Sequence, residues 1–182
     1  LAQYLIGSGN HTEALEPLLK AIDERGERTE TGRAEYLLTL AERAFEASDL
    51  PDASRVAARI ELMHGRLRIT MQFDRESAHR HFERALDLAT RHDWPDIEVD
   101  ALIGLSRAAE IAGDIGEAVD LSRRALQRLP EEAPAALVRR ANYHHATNLL
   151  YNNDYESAEA HFERIAGLLG EDPDTTEWSK VM

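Results

Sequence analysis

Eight histidines are the residues of this chain best suited to metal binding. Helical zinc sites commonly use a His-Glu-X-X-His spacing, and the sequence does not contain it. His81 and His161 occupy the same position of two sequence repeats described below, so the repeat explains both residues without a set of metal ligands. We therefore expect packing roles for the histidines and no bound metal.

Nucleotide binding and acid–base catalysis are the other chemistries to consider. Gly7-Ser8-Gly9 lacks the Gly-Lys-Ser/Thr ending that holds phosphate groups in nucleotide-binding loops. Acidic pairs such as Glu131-Glu132 fall in predicted turns, where carboxylates commonly cap helices or aid solubility. The sequence offers no group of residues for catalysis, so we expect a protein that is not an enzyme and binds no cofactor.

Composition limits the class of partner. The chain has 182 residues, with 43% hydrophobic and 30% charged residues, which is typical of a folded domain. Its formal net charge of -13 opposes general attraction to nucleic acid or to an anionic membrane, so we expect a protein or peptide partner. The absence of cysteine suits a cytoplasmic protein. Since the chain begins at Leu1 and shows no signal-like segment, we expect it to be part of a longer protein.

An internal repeat organises most of the sequence. Three similar segments run over 74–85, 114–125 and 154–165, and their anchoring alanines are 40 residues apart, at Ala78, Ala118 and Ala158. Each segment opens with an aspartate and continues with apolar or small residues at helical spacing, which predicts a capped helix with one buried face. A fainter copy begins at Asn10, outside this period.

Helical patterns also precede these segments, so the repeat is a pair of helices. Gly113-Asp114 and Asn153-Asp154 predict tight turns between paired helices, because Gly and Asn tolerate the left-handed backbone conformation that ends a helix. No strand is predicted. The predicted helices cover about 11–25, 31–47, 51–71, 75–91, 95–112, 115–128, 134–151 and 155–169.

The unit around Ala118 resembles the tetratricopeptide repeat. The matching residues are Leu102, Leu105-Ser106, Ala109, Ala118, Ser122, Ala125 and Pro130. This resemblance implies an all-α fold, an α-α superhelix built from antiparallel helix pairs. The period of 40 residues is similar to that of arrays found in bacterial signalling ATPases, in LuxR-type and maltose-activator-type regulators and in multidomain kinases.

The expected organisation is a single repeat domain over 1–182. Its units lie at about 1–25, 51–91, 95–130 and 134–170. A helix at about 31–47 is expected to interrupt the pairing of helices, and 174–182 reads as the opening of one more helix.

In arrays of this family the first helix of each pair lines a concave groove, and the resemblance transfers those positions to this chain. Two interpretations of these positions stay open: contact with a partner, or burial of the apolar residues and pairing of the arginines with nearby carboxylates. The positions are Arg59, Leu62, Arg66 and Ile69, then Ile103, Arg107, Glu110 and Ile111, then Tyr143, Thr147, Leu150 and Tyr151.

Two functions follow as expectations. The first is a non-catalytic interaction or regulatory scaffold that binds a peptide or protein surface, or another domain of its own chain, along the groove. The alternative is an effector-sensing helical domain of a bacterial regulator that holds a small molecule near Tyr143, Tyr151 and Arg107.

The repeat register generates a stability prediction. Ala118→Leu should lower the free energy of unfolding by about 1–3 kcal/mol, because a larger side chain overpacks the crossing of two helices. Thermal unfolding of the variant tests this expectation. An unchanged melting temperature would mean that the register is misplaced.

Overall fold

The structure is a computed structural model that describes residues 2–26, 31–71 and 74–170. The segment 174–182, for which one more helix was predicted, lies outside these residues. The described part is entirely helical, which confirms the all-α prediction. Its helices are α1 (Ala2–Gly7), α2 (His11–Gly26), α3 (Thr31–Glu46), α4 (Arg55–Met71), α5 (Arg75–His92), α6 (Pro95–Ala112), α7 (Ile115–Gln127), α8 (Ala135–Tyr151) and α9 (Tyr155–Gly170).

Aspartate caps begin three of these helices. The Oδ1 atoms of Asp74, Asp114 and Asp154 accept a hydrogen bond from the backbone N–H three residues on, at 3.1, 3.3 and 3.2 Å. Each cap satisfies an N–H group that has no partner inside its helix. The two predicted tight turns are confirmed, since Gly113 and Asn153 have φ angles of +81° and +61°.

Helix α4 begins later than predicted. The pattern placed its start at residue 51, whereas the structure places it at Arg55. The reason is Ser54, whose Oγ atom accepts from the N–H of Ala57 at 3.2 Å and whose carbonyl accepts from Ala58. Pro51 therefore lies in the connection before the helix, and the serine cap sets the boundary.

The helices pack as consecutive antiparallel pairs in a superhelical stack. Contacts that skip one helix join α2 to α4, α4 to α6 and α6 to α8, so these four helices form an inner row. The second helices of the pairs, α3, α5, α7 and α9, lie on the outer side. Shorter spacing within one row gives a stack of helix pairs its curvature.

Helix α3, predicted at about 31–47 to interrupt the pairing, does not do so. It packs mainly against α2, and α2 lies in the same row as α4. The pair therefore consists of α2 and α3, with α2 as its first helix. The sequence motif beginning at Asn10 resembles that of a second helix, which is why the pattern misassigned it.

The ring of Phe82 fills the space between two inner helices. Its side chain is 1% exposed. A Cβ atom added at Gly65 of α4 or at Gly104 of α6 would lie 2.5 or 2.3 Å from this ring. Both distances are far shorter than van der Waals contact, so only glycine fits on either side. The ring of Phe82 in α5 thus sets how closely α6, the first helix of the next pair, approaches α4.

These contacts predict opposite effects for two Gly→Ala substitutions inside helices. Gly104→Ala should lower the free energy of unfolding by about 1–3 kcal/mol, since the ring of Phe82 is held on its other side by Gly65. The matched control is Gly167→Ala, where nothing lies within 4 Å and the gain in helix propensity should stabilise by roughly 0.5–1 kcal/mol. Urea unfolding measures both changes. Equal stabilisation by the two variants would contradict the packing described here.

Candidate functional site

Two predicted groove arginines form ion pairs between successive inner helices. Arg59 of α4 donates to Glu16 of α2, with 2.6 Å between Nη1 and Oε2. Arg66 of α4 donates to Asp100 of α6, with 2.9 Å between Nη2 and Oδ2. The interpretation of arginines paired with carboxylates therefore holds for both, and each pair connects one helix pair to the next.

Several predicted groove residues are buried between helix pairs instead of facing a groove. Leu62, Ile69 and Ile103 are 2%, 2% and 4% exposed, which rules out direct contact with a partner in this structure. Tyr143 follows Ile103 by one period of 40 residues, yet it is 37% exposed and packs edge-to-face against Phe162, with ring centroids 6.4 Å apart. Leu62, Ile69 and Ile103 belong to the main hydrophobic core, so these three transferred positions do not line an exposed groove.

The remaining polar groove positions lie on α6 and α8. Arg107 is half-buried, and no hydrogen bond or ion pair joins it to another residue within the described ranges. Glu110 is one turn further along α6, where burial raises the pKa of its carboxyl against the opposing effect of Arg107. The hydroxyl of Thr147 donates to the carbonyl of Tyr143 within α8 at 2.9 Å.

Large apolar side chains are exposed at the ends of the same two helices. Ile111 of α6 is 49% exposed, and Leu150 and Tyr151 of α8 are 39% and 56% exposed. Ile111 and Tyr151 are one repeat period apart, so they occupy equivalent positions of neighbouring inner helices. We call the surface formed by Arg107, Glu110, Ile111, Arg140, His144, Thr147, Leu150 and Tyr151 the inner face.

Three arginines act on the imidazole of a histidine of the inner face. His144 is half-buried on α8, and burial together with the charges of Arg107, Arg140 and Arg66 lowers the pKa of its imidazole to about 3. The imidazole is therefore neutral at physiological pH. The three arginines come from α4, α6 and α8, and two of them, Arg66 and Arg140, form ion pairs with Asp100 of α6.

Behind this face, a buried polar network connects the last two pairs. Asn148 of α8 donates through Nδ2 to Ser106 Oγ at 2.7 Å, Ser122 Oγ at 3.1 Å and the carbonyl of Ala118 at 3.1 Å. Ser106 also donates to that carbonyl, at 2.9 Å. All four residues are 0–1% exposed. Ser122 occupies the position that holds Phe82 one repeat earlier, so hydrogen bonds replace the aromatic ring here.

His145 extends this network. Its Nδ1 atom is 2.9 Å from the hydroxyl of Ser122, and its ring lies edge-to-face to that of His161, with centroids 4.9 Å apart. Burial and the neighbouring His161 lower the pKa of His145 to about 4, and burial lowers the pKa of His161 as well. Both imidazoles are therefore neutral in the folded protein near pH 7.

The sequence pattern identified Ser122 only as a residue of the repeat motif and did not predict its hydrogen bonds. A usable signal was present, because Ser106, Ser122, His145 and Asn148 are polar residues at core positions of two facing units. Reading those four positions together, across units, would have indicated a network.

The repeated histidines have the same structural role. His81 Nδ1 is 2.6 Å from Glu61 of α4, and His161 Nδ1 is 2.8 Å from Asn142 of α8, so each bonds to the first helix of its own pair. In the described part of the chain, no group of three or more histidine, aspartate or glutamate side chains is arranged to hold a metal ion. None of the described helices has both the length and the apolar character needed to cross a membrane.

A surface depression formed by described residues lies away from the inner face. It is bounded by α5, α6 and α7, and its lining includes both charged and apolar side chains. The lining residues are His79, Glu83, Leu86, Asp87, Leu105, Glu117, Leu121 and Arg124.

Comparison with models of known protein families gives no match, and a search of curated proteins finds no matching relative.

The histidine network predicts a pH dependence of stability. A histidine whose pKa is lower in the folded than in the unfolded protein binds its proton mainly after unfolding, so stability should fall as pH drops from about 6.5 to about 4. His145→Asn keeps a side chain that can form a hydrogen bond with the hydroxyl of Ser122, but this side chain does not take up a proton. The variant should therefore show a smaller drop in melting temperature between pH 7 and pH 5. The control His79→Gln, at a side chain that is 43% exposed and lies outside the network, should leave the drop unchanged. Identical profiles for wild type and His145→Asn would contradict this assignment.

Proposed function

We propose that this chain is a non-catalytic interaction module of the tetratricopeptide-repeat type, which binds a peptide or protein segment along its inner row of helices. The observation that carries the proposal is the exposure of large apolar residues at equivalent positions of α6 and α8, namely Ile111 and Tyr151. A single exposed apolar residue is ordinary. Equivalent ones on adjacent helices, beside half-buried Arg107, have the composition of a binding surface.

The arrangement of the helices supports the same proposal. Inner helices in succession form a continuous surface, on which one extended segment can contact several repeats. We place this module in the cytoplasm as an arm of a larger bacterial regulatory protein, on the basis of its resemblance to such arrays.

Small-molecule sensing is the weaker candidate. It requires Tyr143, Tyr151 and Arg107 to converge on one compact pocket. Tyr143 packs against Phe162 of α9, and a depression between α5, α6 and α7 is lined by none of these three residues. These contacts support peptide binding over a small effector.

We expect the affinity of bound peptides to depend on the exposed apolar residues of the inner face. Peptides selected by display against the folded chain should lose most of their affinity for a variant with Ile111→Ser and Tyr151→Ser. The control is Tyr4→Ser, because Tyr4 is 75% exposed on α1, far along the stack. Circular dichroism should show unchanged helicity in both variants. Selected peptides that bind the double variant as well as the wild type would place the binding surface elsewhere.

A further inference from the structure

The pair formed by α8 and α9 is the last one in the part of the chain that the structure describes. The preceding pair shows which side of a pair faces the next one. Val119 of α7 is 5% exposed and lies in one apolar cluster with Leu149 and Ala158 of the following pair. The hydroxyl oxygen of Ser122, one turn further along α7, accepts from Asn148 of α8.

The equivalent positions of α9 carry different side chains. Glu159 follows Val119 by one period of 40 residues and is exposed. Phe162 follows Ser122 by the same period and is half-buried. The ring of Tyr143 on α8 lies edge-to-face to that of Phe162 and is 37% exposed. Two aromatic rings and a carboxylate thus lie where the preceding pair meets its neighbour.

Arg139 adds a positive charge to this surface, because it precedes Tyr143 by one turn of α8 and is half-buried. We call the surface formed by Arg139, Tyr143, Glu159 and Phe162 the end face. Tyrosine, phenylalanine and arginine are enriched in surfaces that bind other protein segments. The end face therefore suits a segment that carries both apolar and charged side chains.

The chain that follows α9 starts close to this surface. Helix α9 ends at Gly170, and the sequence continues over 171–182. Phe162 lies eight residues before Gly170 and Trp178 lies eight residues after it. Eight residues span about 12 Å as a helix and up to about 29 Å when extended. A segment that turns back after α9 can therefore bring Trp178 to Phe162.

The segment 171–182 has side chains that match the end face. Trp178, Val181 and Met182 are apolar at a spacing that is typical of one helix face. Lys180 is the only basic residue of the segment, so its net charge is negative and complements Arg139. The acidic residues are Glu171, Asp172, Asp174 and Glu177.

We propose that residues 171–182 dock on the end face, with Trp178 packed against the rings of Tyr143 and Phe162. A tryptophan on an exposed aromatic pair gains both from burial and from edge-to-face or offset ring contacts. The docked segment closes the end of the stack, as terminal segments do in repeat proteins. This inference does not rest on peptide binding at the inner face, because the two surfaces share no residue.

The experiment uses the fluorescence of Trp178 in the full chain, where Trp94→Phe makes it the single tryptophan. Its emission should be blue-shifted relative to the free peptide 171–182, and acrylamide should quench it several-fold less. Tyr143→Ser should shift both signals toward those of the peptide, since it removes one ring of the end face. The control Tyr4→Ser, at a tyrosine of α1 that is 75% exposed, should change neither signal.

A second variant tests the contribution of charge. Arg139→Glu should increase the quenching of Trp178, because it places a carboxylate opposite an acidic segment. The matched control Arg80→Glu makes the same charge change at an exposed residue of α5 and should leave quenching unchanged. Circular dichroism checks the helicity of every variant. If Trp94→Phe does not fold, 5-fluorotryptophan in the unaltered chain reports the exposure of Trp178 through its own ¹⁹F signal.

Three results would overturn the proposal. The first is quenching of Trp178 equal to that of the free peptide. The second is protection that survives both Tyr143→Ser and Arg139→Glu, which would place the segment elsewhere. The third is protection lost on dilution together with a fall in sedimentation coefficient, since a second copy would then cover the end face.

A further variant separates this inference from the proposed function. Ile111→Ser with Tyr151→Ser changes the inner face alone and should leave Trp178 protected. Loss of peptide binding with Trp178 still protected supports both proposals. Unchanged peptide binding contradicts the proposed function, whereas the protection of Trp178 still decides the docking of the segment.

Discussion

The approach of α4 and α6 around the ring of Phe82 is the contact on which the stacking of the helix pairs depends. Because Gly65 and Gly104 have no side chains, the ring lies directly against both helices. A single pair cannot bury its apolar face alone, so each pair needs the next one. The inner row, and with it the alignment of charged residues from one pair to the next, follows from this close packing.

Most of the fold could be predicted from local signals in the sequence. Aspartate caps, the turn glycine and the 40-residue period define α5 to α9 well, because each signal acts within a few residues. The start of α4 and the role of α3 could not be predicted in this way. The start of α4 depends on whether Ser54 or Pro51 begins the helix. The role of α3 depends on which helices are in contact across the stack.

The candidate site was less predictable, because it depends on which residues the following pair covers. Ile103 and Tyr143 occupy equivalent positions, but Ile103 is 4% exposed and Tyr143 is 37% exposed. For the arginines of the inner row the sequence left open contact with a partner or pairing with carboxylates, and the structure pairs Arg59 with Glu16 and Arg66 with Asp100.

Ion pairs between successive inner helices accompany the close packing around Phe82, and Asp100 of α6 takes part in two of them, with Arg66 of α4 and Arg140 of α8. Two double-mutant cycles at low ionic strength test this coupling directly, one with Arg66→Ala and Asp100→Ala and the other with Asp100→Ala and Arg140→Ala. Each cycle should give a favourable coupling of roughly 0.2–1 kcal/mol, as for exposed or half-buried ion pairs. Zero or unfavourable coupling in both cycles would contradict the electrostatic connection of the inner helices.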